Sequence, residues 1–334
     1  MKYKVIDGKG IIPDGTNEIA ESAFKGCTRL QSIVIPSSVT VIGSEAFSGC
    51  TSLQSIVIPD SVTRINYSAF SGCNNLTSII VSKNNSRYKS TNNCILTKDG
   101  KKLILCRSHN IPDSVTMIGD WAFKGCTSLQ SIIIPDSVTV IGGSAFSCTS
   151  LQSIVIPNGE TRIDTSTFEG CGGLQSIVIP DSVKEIGESA FSYCTSLQSI
   201  EIPDSVTKIK SHAFEGCTSL QSIVIPDRVT TIDSTAFKCC NNLTLIIVSK
   251  NNPEYKSTNN CMLTKDGKEL ILCRSHNIPD GVTKIGRWAF DGCTSLQSIV
   301  IPDSVTTIAH NAFSVCIYNH RTTKTNQKYP SVNL

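Results

Sequence analysis

The sequence predicts an α/β solenoid, an array of stacked short units sharing one continuous core, and three observations carry that reading. All eleven phenylalanines fall in one register: Phe24, Phe47, Phe70, Phe123, Phe146, Phe168, Phe191, Phe214, Phe237, Phe290 and Phe313, with gaps of 23, 23, 53, 23, 22, 23, 23, 23, 53 and 23 residues. A proline stands eleven residues before each, as Pro59 does before Phe70. A cysteine follows three residues later, as Cys73 does, except after Phe146, where one residue is deleted and Cys148 comes early. Residues 74–126 recur almost unchanged at 241–293, an offset of 167 in a chain of 334, so the array reads as a tandem duplication with halves 1–167 and 168–334. A unit this short has too little apolar surface to fold alone, whereas stacked units cover one another. Residues 1–316 are therefore expected to form a single solenoid.

In chain order, residues 3–12 (YKVIDGKGII) put Asp7 and Gly10 where aliphatics belong and read as a degenerate capping unit. A regular unit runs from Leu53 to Cys73, LQSIVIPDSVTRINYSAFSGC. Leu53, Ile56 and Ile58 have the L-x-x-L-x-L spacing of a short strand with its aliphatics inward. Pro59 offers no ladder donor and ends the strand, Asp60 and Ser61 turn the chain, and Val62 and Ile65 return to the core. Asn66 and its equivalents Gly43, Gly119, Asp164, Gly187 and Asp233 suit a helix N-cap. Ala69, Phe70 and Cys73 share a helical face, and Gly72 suits a helix end. A short convex helical or 3₁₀ turn is the expectation. Two units are lengthened by inserts, at about residues 82–111 and 249–278. Within them CILTKDGKKLILC (94–106) and CMLTKDGKELILC (261–273) read as projecting β-hairpins around Asp-Gly turns. The pattern stops after Cys316, and residues 317–334 read as a polar, disordered tail.

The unit LQSIVIPDSVTxIGxxAFxGCTS resembles the BspA-like class of leucine-rich repeats, found on bacterial surfaces and in parasitic protists, over about residues 5–316. The resemblance implies a leucine-rich-repeat solenoid with a parallel concave β-sheet. It also implies a non-catalytic, protein-binding role of surface-antigen or adhesin type, towards host matrix proteins or other cells. Members usually carry a leader or anchor. Here MKYKVIDGKG has no apolar stretch after its lysines, and no run approaches the length of a membrane span. The alternative is an intracellular scaffold for protein–protein interaction, which the sixteen cysteines favour.

Function is expected on the surface. The x positions of the strands are nearly uniform: Ser55, Ser153, Ser176, Ser199 and Ser222 at one, and Val57, Val155, Val178 and Val224 at the other, interrupted by Glu201. A long, mildly apolar strip is a candidate interaction site, and its uniformity argues against a small-molecule pocket built from differing polar groups. The bland alternative is recent duplication with little selection on this face. The net charge of +3 gives no reason to expect nucleic acid. The first insert is net +6 and the second net +2, which leaves −5 for the remainder. Lys98, Lys101, Lys102, Lys265 and Lys268 thus form a second candidate surface, towards anionic glycans, though lysines on a solvated loop also block edge pairing. An exposed last rung invites self-association.

The repeat cysteines are expected to be buried, reduced thiols. Cys94 with Cys106, and Cys261 with Cys273, could instead meet across their hairpins as disulfides. The Cys-x-x-His spacings to His109 and His276 could contribute to a zinc site but lack a fourth ligand, and ordinary packing is the expectation. Asp60, Asp113, Asp136, Asp181, Asp204, Asp227, Asp280 and Asp303 form a row that calcium could bridge, although turn formation accounts for it. Asn66, Asn75, Asn84 and Asn242 lie in glycosylation sequons, which matter only in a eukaryotic secretory route. No phosphate loop, dinucleotide fingerprint or paired catalytic carboxylate appears, so no enzyme, cofactor or metal is expected.

Overall fold

Most repeats contribute two short strands, where the spacing suggested one, and a run of turns where it suggested a helix. A computed structural model of the chain describes residues 3–294, 296 and 298–314, and these divide into two units, Met1–Cys171 and Gly172–Leu334. The expected tail at 317–334 lies outside the described residues.

In the first unit the SIVI segments stack in parallel, with Ser55–Ile58 against Ser78–Val81 in the register Ser55↔Ser78 to Ile58↔Val81. Ile56 and Ile58 point inward and Val57 outward, as the two-residue period of a strand dictates. A second parallel ladder follows each proline: Glu18–Ile19, Val41–Ile42 and Arg64–Ile65 pair in order. The second unit repeats both ladders, with Ser222–Ile225 on Leu245–Val248 and with Glu185–Ile186, Lys208–Ile209 and Thr231–Ile232 in sequence. The N-terminal cap is a hairpin, Lys4–Ile6 with Lys9–Ile11. Its second strand pairs with Ser32–Ile33, and the Tyr3 ring covers Phe24 at 5.1 Å.

No helix occurs among the described residues, which corrects the expected helical or 3₁₀ turn. The reason lies in the backbone two residues before the phenylalanine. That residue is left-handed in ten units, from Ser22, Glu45 and Ser68 to Trp288 and Asn311, with φ between 53° and 60°. One such residue ends a helix. The residue two after the phenylalanine is left-handed as well, as at Gly49 (φ 73°), where glycine carries no steric cost. The N–H groups of these turns therefore leave their own unit. Phe24 donates to Ala46 O at 2.7 Å, Phe47 to Ala69 O at 2.8 Å, and in the second unit Phe214 to Ala236 O at 2.8 Å.

This ladder fixes the phenylalanine spine. Phe24, Phe47 and Phe70 stack with centroids 5.4 and 5.2 Å apart, as do Phe191, Phe214 and Phe237 at 5.5 and 5.4 Å. The cysteines run beside it, thiols of consecutive regular units donating to the preceding unit's phenylalanine carbonyl: Cys50 to Phe24 O, Cys73 to Phe47 O and Cys217 to Phe191 O, all at 3.1 Å. Cys148 departs from this role. It occupies the glycine slot with φ 57° and is exposed. Thr149 takes the cysteine's place, its hydroxyl 3.2 Å from Cys171 Sγ. The deletion falls after this turn, not within it.

The inserts do not project, contrary to expectation. Lys102–Cys106 pairs antiparallel with Cys94–Thr97 and parallel with Met117–Ile118, so the hairpin joins the second ladder in one five-stranded sheet. Burial of Ile95, Leu96, Leu103 and Leu105 drives this, since a free hairpin would leave them in water. Asn85, itself fully buried, anchors the insert by donating to Pro59 O and Val62 O at 2.8 and 2.9 Å. Asn252 does the same for the second insert.

One unit carries a carboxylate inside. Glu160 stands in the slot held by Val62 and Val138 elsewhere and is buried. It accepts from the backbone N–H groups of Ile141, Thr161 and Arg162. Burial pushes its pKa up against those three bonds.

Two predictions follow from this packing. Phe191→Ala should lower stability by about 3–5 kcal/mol in urea unfolding, because it empties one position of the spine. A folded-state pKa above the unfolded value means that Glu160 costs stability as pH rises through that folded pKa. The stability gain of Glu160→Val over wild type should therefore grow between pH 4 and pH 7, read by urea unfolding at both.

Candidate interaction surface

The outward face of the first ladder is built by strand alternation alone. In the first unit Val34 is 81% exposed, Ile133 82% and Val155 62%, and Ser55, Val57 and Ser153 lie on the same outward face. In the second unit Val178 is 58% exposed and Val224 49%. Ser176 is exposed there and Ser222 half-buried. Ser199 and Glu201 are also exposed, with Ile200 buried between them, but this segment forms no regular strand. A carboxylate at a position otherwise held by Val or Ile interrupts the apolar strip in this unit.

The insert lysines divide into two kinds. Lys98 Nζ donates to Asn85 O at 2.7 Å and Lys83 O at 3.2 Å, and Lys265 Nζ makes the equivalent pair to Asn252 O and Lys250 O at 2.6 and 3.2 Å. These two ammonium groups clamp the turn that opens each insert. Lys101 and Lys268 are exposed. Lys102 is half-buried, while its counterpart in the second insert is Glu269, paired with Lys284 at 2.9 Å.

Cys94 and Cys106 are direct cross-strand partners joined as a disulfide, and Cys261 and Cys273 repeat the arrangement. This takes the thiolates away from any Cys-x-x-His zinc reading. Among the described residues no group of three or more His, Cys, Asp or Glu is placed to hold a metal. The other cysteines among the described residues take part in no disulfide. Burial raises Cys50 and Cys240 to about 12 and Cys73 and Cys171 to about 11, so they carry no thiolate at neutral pH.

Several structural residues gave no sequence signal. Arg107 fills the core where the first insert interrupts the cysteine ladder, its guanidinium donating to Phe70 O at 2.5 Å and contacting Cys126 Sγ at 2.7 Å. Tyr88 and Tyr255 place their hydroxyls where the second ladder breaks, accepting from the N–H groups of Ile65 and Ile232 at 3.2 Å.

The BspA-type leucine-rich-repeat region matches the chain in six copies, over residues 9–98, 104–176, 161–265 and 269–332. The chain belongs to the BspA-type leucine-rich-repeat family. Among solved structures, a leucine-rich cell surface protein from Faecalibacterium prausnitzii is 35% identical with a TM-score of 0.53, over 71% of this chain and 59% of that one. The BspA-type chain thus spans less than two thirds of that relative's length. A leucine-rich-repeat protein from Eubacterium ventriosum is 21% identical with a TM-score of 0.51, over 97% of this chain and 84% of that one, and shares the fold. No curated protein matches the chain. Among the described residues no helix is long and apolar enough to cross a membrane.

The thiol assignments are checked by alkylation and mass spectrometry. Native protein should label at the exposed Cys148 and resist at Cys50, Cys73, Cys171 and Cys240. Unfolding without reductant should expose these four, while Cys94, Cys106, Cys261 and Cys273 should label only after reduction.

Proposed function

We propose that this BspA-type chain is a non-catalytic protein-binding module displayed at a cell surface, and that its partner docks on the Ser/Val face of the first ladder. The observation that supports this most is the row of well-exposed branched aliphatics in the first unit, Val34, Val57, Ile133 and Val155. A folded chain gains nothing by leaving such side chains in water, and contiguous apolar surface of this kind suits a protein partner. The likeness to a leucine-rich cell surface protein favours the outside of the cell. So do the two insert disulfides, which persist in oxidising compartments. Adhesion to host matrix proteins is the form of binding that the family suggests.

The test is binding to a panel of immobilised matrix proteins. Val57→Asp and Val155→Asp in the first unit, or Val178→Asp and Val224→Asp in the second, should weaken a positive interaction by about tenfold or more, a loss of about 1.4 kcal/mol. Binding should change little with salt, because the strip is uncharged. Lys101→Ser and Lys268→Ser should leave it intact. Unchanged binding in every strip variant would remove this face as the site.

A further inference from the structure

At the first insert the turn ladder of the first unit is broken, and the break opens a cleft of about 220 Å³. In a regular repeat the N–H groups two before and at the phenylalanine are consumed by the next repeat, as Glu45 donates to Tyr67 O at 3.2 Å and Phe47 to Ala69 O at 2.8 Å. The Asn66–Gly72 turn keeps only its last rung to the following repeat, Gly72 donating to Lys124 O at 3.4 Å. Ala122 O, the equivalent acceptor, takes the Cys106 N–H at 3.1 Å instead. The N–H groups of Ser68 and Phe70 therefore have no acceptor among the described residues, and both residues line the cleft. Lys102 lines it too and has no acidic partner among the described residues. Asp120, on the far wall, has one carboxylate oxygen engaged by the Gly143 N–H at 2.8 Å. Tyr67 and Trp121 form the rim, their rings 4.8 Å apart and tilted by 35°, with Tyr67 60% exposed.

In the second copy the Phe237 N–H likewise loses its acceptor, since Ala289 O takes the Cys273 N–H at 2.7 Å, but carboxylates serve the N–H groups on either side of it. Asp233 accepts the Thr235 N–H at 2.9 Å, the buried Asp291 accepts the Cys239 N–H at 2.6 Å, and Lys238 covers the Trp288 ring at 4.8 Å. In the first copy these acids are Asn66 and Lys124, the aromatic Tyr67 stands where the second copy has Ser234, and Lys102 stands where it has Glu269. Two nearly identical segments thus diverge at one point. One copy supplies carboxylates to the broken turn, and the other supplies a cation, a second open donor at Ser68 and an aromatic face.

We propose that the first-insert cleft binds an acidic sugar residue, a pyranose bearing a carboxylate. Paired backbone N–H groups beside an ammonium recognise a carboxylate through charge-assisted bonds, and the second copy uses carboxylates at the same broken turn. The exposed Tyr67 ring offers an apolar platform for the C–H face of the sugar, which a bare anion would not use. This site is separate from the strip and does not depend on it.

The test uses the full chain carrying Trp288→Phe, so that Trp121 alone reports by fluorescence. Titration with glucuronate should shift its emission saturably, with glucose and inorganic sulfate each weaker by about tenfold or more. Lys102→Glu and Tyr67→Ser, both residues that the second copy accommodates at the same positions, should each weaken glucuronate by about tenfold while leaving the urea midpoint near that of the parent. Absence of a saturable shift overturns the proposal. So does an unchanged response in Lys102→Glu, and so does sulfate binding as tightly as glucuronate, which would make the cleft an anion site without a sugar.

Discussion

The structure depends on the main-chain bonds that run from one turn to the next. Left-handed residues before ten of the phenylalanines, and after them wherever the backbone is described, turn N–H groups out of their own unit and into the neighbouring one. The spine of stacked rings, the thiol-to-carbonyl ladder and the two parallel strand ladders all follow from that register. A displaced turn would separate a phenylalanine from its neighbour and leave polar groups unpaired at the same time. Each repeat is therefore stable only through the next, and any insertion has to repair the ladder or leave it open.

The inserts show both outcomes. Each joins the second ladder through its own strand and is fixed by a buried asparagine, a clamped lysine and a tyrosine hydroxyl set against the broken edge. The turn beside it leaves the Ser68 and Phe70 N–H groups open in the first copy, whereas carboxylates take those of Thr235 and Cys239 in the second. Breaks in an otherwise periodic chain are where polar groups become available, and the proposed sugar site lies at such a break, whereas the proposed protein site lies on the outward face of the first ladder. Glu160 marks another such break, with a carboxylate standing in for main-chain acceptors.

The period and the inward strand residues were legible in the sequence because they rest on spacing alone, whereas residues 3–12 read only as a degenerate cap and not as the hairpin they form. Ala69, Phe70 and Cys73 looked helical because consecutive turns and a short helix place the same residues inward. What decides between them is the left-handed backbone at Ser68, which serine does not advertise. The Val41–Ile42 type of strand escaped notice because two residues are too few for alternation to show. The hairpins were recognised as hairpins, but the burial of Ile95 and Leu103 on a neighbouring ladder depends on the stack and not on the hairpin. The exposed strip was readable from the strand period. The Tyr67–Trp121 cleft was not, since its walls lie more than fifty residues apart and its donors are backbone groups.

Amide hydrogen exchange tests the central claim most directly, because it reads the turn ladder bond by bond. The N–H groups of Phe24, Phe47 and Phe214 donate to the next turn and should exchange only with global unfolding. Those of Ser68 and Phe70 should exchange far faster, although the Phe70 ring is as buried as the others. Equal protection at Phe47 and Phe70 would contradict the account, since it would mean that the ladder runs unbroken past the insert.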